Sequence, residues 1–153
     1  MKKSAPSSDT TERLSQLMQR FMTLIHQRSA GDTLKLMGQA KLTMPQVVAM
    51  HMLAQRGPTT VSAIADCLRL TSGTTSHLVE QLVQGGFVAR TEDAQDRRQR
   101  RIALAPAGRT LVERLSRARA REFAEVAERL SPSLQRQFEQ VLHQMVTELS
   151  SSD

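Results

Sequence analysis

The sequence predicts a mainly α-helical fold that carries one small β-hairpin. Three observations lead to this prediction. Apolar residues recur at helical spacing along most of the chain, cap and stop residues separate these stretches, and alternating apolar and polar residues flank one charged segment. At 153 residues the chain has the length of one ordinary domain.

The N-terminal part is expected to be a flexible arm followed by a long helix. Residues 1–10 are rich in Lys, Ser and Thr and have too little apolar surface to fold. Residues 11–42 form an N-terminal helical region, in which one helix runs from Thr11 to near Gly31. Its apolar face consists of Leu14, Leu17, Met18, Phe21, Leu24 and Ile25.

The central region, residues 43–105, is predicted to contain three helices and two strands. Thr43 caps the first helix, which a Gly-Pro pair ends. Residues 59–61 are expected to form a short β-bridge, after which Ser62 caps the second helix. Thr71 caps the third helix, which follows the second after a tight turn.

The helix after Thr71 presents two different faces before it ends at Gly85-Gly86. One face is apolar, whereas the other is polar, small and uncharged. A solvent-facing helix usually carries Glu and Lys, but a helix that fits against base edges needs short hydroxyls, amides and a closely approaching backbone. The two helices therefore resemble a helix-turn-helix. The inward residues are Thr75, Leu78, Val79, Leu82 and Val83, and the outward residues are Gly73, Thr74, His77, Gln81 and Gln84.

A hairpin with a long charged tip, a wing, is predicted next. Residues 87–90 and 101–104 alternate as strands do. Arg suits the tip because its guanidinium can enter a narrow minor groove or pair with a phosphate. Asp96 is expected to orient Arg98 and not to contact DNA itself. The residues assigned to the wing site are Asp96, Arg97, Arg98, Arg100 and Arg101, and the expected DNA backbone contacts are Thr71 and Arg90.

Residues 106–150 are predicted to form two long helices, the second starting at Ser131-Pro132. Their apolar stripes and that of the first helix cannot all be buried in one compact unit. Residues 11–42 and 106–150 are therefore expected to form a two-fold dimer interface, with a monomer whose terminal helices pack on each other as the alternative. The stripes comprise positions 111, 115, 118, 126 and 130 of one helix and Leu134, Phe138, Val141, Leu142, Met145 and Leu149 of the other.

The positive charge is concentrated in one segment. Residues 90–121 hold ten Arg against four acidic residues, whereas the rest of the chain balances eleven basic against eleven acidic residues. The whole formal charge of +6 therefore lies in about one fifth of the length. Such a field favours a polyanionic partner, and a solvated basic helix face is the ordinary alternative.

The sequence also argues against a disulfide, a membrane span, a signal peptide and a metal site. Cys67 cannot form an internal disulfide, and no apolar run reaches the roughly 20 residues of a membrane span. Because no signal peptide is recognisable either, we expect a cytoplasmic protein. The His residues at 26, 51, 77 and 143 are too scattered for metal ligation, so we expect neither a metal nor a cofactor.

Several segments, in order, resemble the MarR family of bacterial winged helix-turn-helix regulators over nearly the whole chain. Residues 42–46, LTMPQ, resemble its Leu-Thr-x-x-Gln helix start, and residues 62–65 resemble its first DNA-domain helix. Residues 70–79 resemble its recognition helix, and residues 93–98 its Asp-x-Arg wing element. Residues 104–108 stand in place of its Leu-Thr-Pro-x-Gly, with Ala105 removing the hydroxyl cap.

The resemblance implies a homodimeric, sequence-specific transcription repressor that a small molecule or an oxidant relieves. Such a dimer is expected to bind pseudo-palindromic double-stranded DNA with half-sites roughly 10 base pairs apart. His77 stands where the family commonly has Arg or Lys, so base preference does not transfer. The expected contacts of the recognition helix are Ser72, Gly73, Thr74, Ser76, His77 and Gln81.

The resemblance also implies an effector site, because family members commonly bind anionic aromatic or lipophilic molecules between the dimer helices and the DNA domain. Ordinary core packing is the alternative for these residues. Cys67 near Arg69 could sense oxidants, but we expect a small packing residue because the chain holds no second Cys. The expected pocket residues are Met18, Met22, His26, Met44, Val48 and Met52.

Other functions stay open from the residues alone. A non-specific architectural DNA-binding protein would also be basic and dimeric, and a constitutive regulator would need no ligand. A protein-binding adaptor could keep the winged fold without touching DNA. An enzyme is disfavoured because the chain shows no phosphate loop, acid pair or nucleophile triad.

Overall fold

The computed structural model describes residues 8–29, 31–92 and 100–151. Within them the fold is mainly helical with one antiparallel hairpin, as the sequence predicted. No helix in these ranges is both long and apolar enough to cross a membrane. The elements are α1 Ser8–Ser29, α2 Gly31–Gln39, α3 Met44–Arg56, α4 Val61–Leu68, α5 Ser72–Gln84, β1 Val88–Glu92, β2 Arg100–Leu104, α6 Pro106–Ala127 and α7 Pro132–Ser150.

The chain divides into two compact units. The central unit comprises residues 32–118, and the terminal-helix unit comprises the residues up to 31 and those from 119 onward. The division falls inside α6, so the central unit includes α2 and the first half of α6 besides residues 43–105. The sequence had placed residues 106–150 together in one region, because nothing in the periodicity of a continuous helix marks such a division.

One apolar cluster holds the central unit together. It draws residues from α2 to α6 and from both strands, so the helix-turn-helix and the hairpin share a single core. Removing this much apolar surface from water is the main stabilising contribution. Thr75 is fully buried, and its hydroxyl donates to the Thr71 carbonyl oxygen at 2.9 Å. The cluster comprises Met37, Val47, Ala49, Met50, Met52, Leu53, Ile64, Leu78, Val79, Leu82, Val88, Ile102, Leu111, Val112 and Leu115.

Helix caps set the starts of α4 and α5. The predicted cap at Thr71 is confirmed, since its hydroxyl accepts from Thr74 N at 3.3 Å. The predicted cap at Ser62 is wrong. Thr60 has the extended backbone of a cap and accepts from Ala63 N at 3.2 Å, whereas Ser62 already lies inside α4.

Helix α2 was not predicted from the sequence as a separate element. This helix has nine residues, of which Thr33 and Met37 are buried. Two buried positions give too short an apolar period to identify a helix from sequence. The chain leaves α2 through Lys41, which has a positive φ of 52°.

The start of α6 packs closely on the hairpin. Ala105 N donates to the Phe87 carbonyl oxygen at 3.0 Å, and Gly108 is buried against the same carbonyl. A Cβ at Gly108 would collide with that oxygen. The glycine is therefore required by a backbone approach, which is one of the reasons proteins keep glycine at a position.

The terminal-helix unit consists of α1, the second half of α6, and α7. Phe21 and Phe138 meet edge to face, with ring centroids 5.7 Å apart. Ser131 caps α7 as predicted, because its hydroxyl accepts from Leu134 N at 3.4 Å. In α7, all of which the structure describes, no residue is buried. A large apolar surface is thus exposed on the single chain.

Candidate nucleic-acid interface

The turn between α4 and α5 is closed by backbone hydrogen bonds. Arg69 adopts the left-handed conformation with φ 53° and ψ 43°. Its N–H donates to the Asp66 carbonyl at 3.3 Å, and Leu70 N donates to the Ala65 carbonyl at 3.0 Å. These bonds satisfy the last carbonyls of α4 and redirect the chain into α5.

The recognition-helix residues predicted from sequence all lie on the exposed side of α5. Opposite them, Thr75, Leu78, Val79 and Leu82 are buried in the core and fix the rotation of the helix. A Cβ at Gly73 would meet no atom within 4 Å, so the packing of this chain does not require glycine there. The exposed residues are Ser72, Gly73, Thr74, Ser76, His77 and Gln81.

A chain of side-chain hydrogen bonds joins α3 to this face. Thr43 N donates to Gln46 Oε1 at 2.8 Å, and Gln46 Nε2 donates to Gln81 Oε1 at 2.8 Å. Gln81 Nε2 lies 3.1 Å from His77 Nε2. Gln81 is expected to contact DNA directly, and both its Oε1 and its Nε2 have hydrogen-bond partners within the protein. Sequence reasoning missed this link because Gln46 and Gln81 are 35 residues apart.

The hairpin pairs in a simple register from Val88 opposite Leu104 to Glu92 opposite Arg100. Strand β1 begins one residue later and ends two residues later than predicted, and β2 begins one residue earlier. The predicted β-bridge before α4 is confirmed, because Thr59 and Ile102 exchange backbone hydrogen bonds of 3.0 and 2.7 Å. The bridge attaches the wing to the loop that leads into the helix-turn-helix.

The arginines of the strands differ in their surroundings. Arg90, expected at the DNA backbone, forms an ion pair with Glu80 of α5 at 2.7 Å. Arg101 donates to the Pro58 carbonyl at 3.3 Å, and Arg100 is exposed. The remaining predicted wing residues, Asp93, Asp96, Arg97 and Arg98, lie outside the described residues.

The six residues expected to line an effector pocket are divided between the two units. Met18 and Met22 line an apolar cavity of about 700 Å³ in the terminal-helix unit, together with residues of α6 and α7 such as Phe123 and Phe138. His26 is exposed. In the central unit, Met44 and Val48 are exposed, whereas Met52 belongs to the buried core.

Two further expectations concern reactive and metal-binding residues. Cys67, expected mainly as a packing residue, is exposed on α4, whereas Ile64 and Ala65 of the same helix are buried. Over residues 8–29, 31–92 and 100–151, His, Cys, Asp and Glu side chains do not gather in a group of three that could hold a metal ion.

Sequence comparisons find relatives of the central region. A sequence model of the MarR family matches residues 42–99. An uncharacterized HTH-type transcriptional regulator of Bacillus subtilis, YsmB, is 29% identical over 79 residues. That match spans 52% of this chain and 54% of the relative, about half the length of each.

Solved structures are similar over nearly the whole chain. A MarR family protein from Bacillus stearothermophilus is 27% identical with a TM-score of 0.74, covering 95% of this chain and 99% of its own. A mutant of S. aureus MepR bound to an oligodeoxyribonucleotide is 25% identical with a TM-score of 0.65, covering 89% and 97%. S. aureus MepR bound to ethidium bromide is 26% identical with a TM-score of 0.64, covering 88% and 95%.

Proposed function

Since residues 42–99 belong to the MarR family, as their motifs predicted, we propose that the whole chain is a dimeric, sequence-specific, DNA-binding transcription regulator. The observation that carries the proposal is the exposed face of α5. Its short polar side chains are held outward by a helix whose opposite side is locked into the core. A surface of this chemistry fits base edges in the major groove.

The neighbouring elements suit contacts with the phosphate backbone. Thr71 and Ser72 lie at the start of α5, where backbone N–H groups and the helix dipole favour an anion. The hairpin beside it carries the Arg-rich segment. Arg side chains of the wing would supply sequence-independent affinity, and α5 would supply the base preference. The oligodeoxyribonucleotide bound to the MepR mutant supports DNA as the partner by similarity.

Dimerisation is proposed from the exposed apolar surface. Of the fourteen large apolar residues that are exposed in the part of the chain that the structure describes, eleven lie in the terminal-helix unit. Six of these are on α7 alone, where Val146 and Leu149 are 62% and 69% exposed. A contiguous apolar surface of this kind marks an interface. A second copy covers it by two-fold symmetry, which is the commonest arrangement of soluble oligomers.

The dimer is tested by charge substitution on α7. Val146→Glu with Leu149→Glu places two carboxylates on the proposed interface, so sedimentation is expected to show a monomer with weakened DNA binding. Met44→Glu with Val48→Glu is the matched control, since both side chains are exposed in the central unit and lie outside residues 11–42 and 106–150. An unchanged dimer in the α7 variant would contradict the interface.

Sequence specificity is tested by selecting bound duplexes from random oligonucleotides. The expected result is an inverted repeat, bound at least about 10³-fold more tightly than unrelated duplex. Arg98→Ala is expected to reduce the affinity for that site steeply, whereas a protein-binding adaptor would show no dependence on Arg98. Equal affinity for every duplex would identify an architectural protein and overturn the proposal.

A small lipophilic effector is the finer part of the proposal. The 700 Å³ cavity of the terminal-helix unit has the size and the Met- and Phe-rich lining of a ligand site. The ethidium-bound MepR structure supports a lipophilic aromatic class by similarity. Ethidium is expected to weaken operator binding, and Met22→Trp, which fills the cavity, is expected to remove that effect. Operator affinity that no phenolic compound, lipophilic cation or thiol oxidant changes would indicate a constitutive regulator.

A further inference from the structure

The hydrogen-bond chain that ends at His77 has a defined direction. It begins at the backbone N–H of Thr43, which can only donate. Gln46 Oε1 must therefore accept, and it also accepts from the Thr43 hydroxyl at 3.1 Å. This assigns oxygen and nitrogen of the Gln46 amide, so Gln46 Nε2 is the group that donates to Gln81.

The direction of these hydrogen bonds extends to the imidazole of His77. Because Gln81 Oε1 accepts from Gln46, its Nε2 is left to donate toward His77 Nε2 at 3.1 Å. A ring nitrogen that accepts carries no proton, so the proton of the neutral ring lies on Nδ1. The hydrogen-bond partners thus assign one of the two tautomers to an exposed histidine.

Gln46 stands at the inner end of this series of hydrogen bonds, and its burial keeps the direction of the hydrogen bonds from reversing. Gln46 is only 4% exposed, so water cannot readily replace its partners. Turning its amide over would set an NH₂ group against the Thr43 N–H, two donors facing each other. A buried polar group left without a partner is strongly disfavoured. The buried hydrogen bonds of Gln46 therefore fix the direction of the exposed hydrogen bond between Gln81 and His77.

We infer that Gln46 and Gln81 are positioning residues that make His77 a hydrogen-bond donor toward DNA, through Nδ1–H. The inference rests on the proposed function and assigns a base class to one position of α5. A donor matches the acceptors of the major groove, which are purine N7, guanine O6 and thymine O4. An Nδ1–H donor does not match the amino group of cytosine, which is itself a donor. An imidazole free to change tautomer could accept a hydrogen bond from that amino group.

The tautomer is tested directly on the wild-type protein by ¹⁵N NMR of the histidine rings. Two-bond couplings to the ring protons distinguish Nδ1–H from Nε2–H. The His77 ring, identified by its loss in His77→Ala, is expected to show Nδ1–H. Gln81→Ala removes the donor and is expected to release the ring to the Nε2–H form that free imidazole side chains prefer. An Nε2–H ring in the wild type would overturn the inference.

The base class is tested by repeating the duplex selection with variants. His77→Ala identifies the position that His77 contacts, where the wild type is expected to select against cytosine. Gln81→Ala is expected to reduce the preference at that position by about fivefold, the value of one hydrogen bond, and to leave the other positions unchanged. Gln84→Ala, another exposed glutamine of α5 outside the hydrogen-bond chain, is the matched control.

The outcomes separate this inference from the proposed function. If the protein selects a site but Gln81→Ala leaves the preference at the His77 position unchanged, the positioning role is wrong and the regulator stands. If the wild type selects no sequence, the proposed function fails and the base assignment fails with it. The NMR result then still decides whether the tautomer is held.

Discussion

Arg90 Nη2 donates to Glu80 Oε2 at 2.7 Å and so joins the first strand of the wing to the recognition helix. Both side chains are nearly half exposed, 42% and 46%, and a pair of this kind contributes at most about 1 kcal/mol to stability. Its importance lies in charge. Glu80 neutralises an arginine that the sequence places at the DNA backbone.

Replacing Glu80 by Gln is expected to strengthen DNA binding. The substitution removes a negative charge next to the duplex and frees Arg90 for a phosphate, so the slope of log affinity against log salt becomes steeper by roughly one. Titrations at several salt concentrations measure that slope. Glu113→Gln on α6 changes the net charge equally and is the control. Identical slopes for the two variants would mean that Arg90 stays away from phosphate.

Gly73→Ala is expected to stabilise the protein and weaken its DNA binding. An added methyl meets no atom within 4 Å, and alanine favours the helix by about 0.5–1 kcal/mol. The same methyl would obstruct the backbone approach of α5 to the bases. Gly38→Ala in α2 also has open space and should raise the melting temperature without changing DNA affinity. DNA binding that is equally strong in both variants would remove Gly73 from the interface.

Gly108→Ala is expected to destabilise the protein. Its Cβ would collide with the Phe87 carbonyl oxygen, and because this neighbour is backbone, the hairpin or α6 must shift. Overpacking of this kind costs about 1–3 kcal/mol. Chemical denaturation compares the free energy of unfolding with that of Gly38→Ala. A Gly108 variant as stable as the wild type would show that the close approach is readily relaxed.

Ala105→Ser is expected to stabilise α6. Ala105 precedes the helix, and its carbonyl accepts from Arg109 N at 3.0 Å, as the carbonyl of an N-cap does. A serine hydroxyl there could accept from a free N–H of the first turn and add about 1 kcal/mol to the free energy of unfolding. Ala107→Ser, already inside the helix, supplies the control without a cap. If the Ala105→Ser and Ala107→Ser variants had the same free energy of unfolding, Ala105 would not occupy the N-cap position of α6.

Local patterns sufficed for much of the recognition helix. The cap at Thr71, the glycines after Gln84 and the buried Leu78 and Val79 all follow from rules that act over a few residues. Where the signal was weak, prediction failed. The short helix α2 buries only Thr33 and Met37, and the cap of α4 was assigned to Ser62 because a second cap-forming residue, Thr60, lies only two positions before it.

The hydrogen-bond and ion-pair partners of individual polar side chains in the candidate interface could not be predicted from the sequence. Gln81 is predicted to contact DNA because its helical position is outward, and only the fold shows that its amide also forms hydrogen bonds with Gln46 and His77. Arg90 is predicted to contact phosphate because it is basic, and only the fold shows that it is also paired with Glu80. Gln46 lies 35 residues from Gln81, and Glu80 lies ten residues from Arg90, so neither pairing follows from near-neighbour rules.

The amino-acid order by itself determined the longer helices, both strands and which side of α5 is buried, because those features depend on spacing between near neighbours. Tertiary structure alone decided which outward polar groups remain available, since hydrogen bonds between distant residues form only after the core has brought them together.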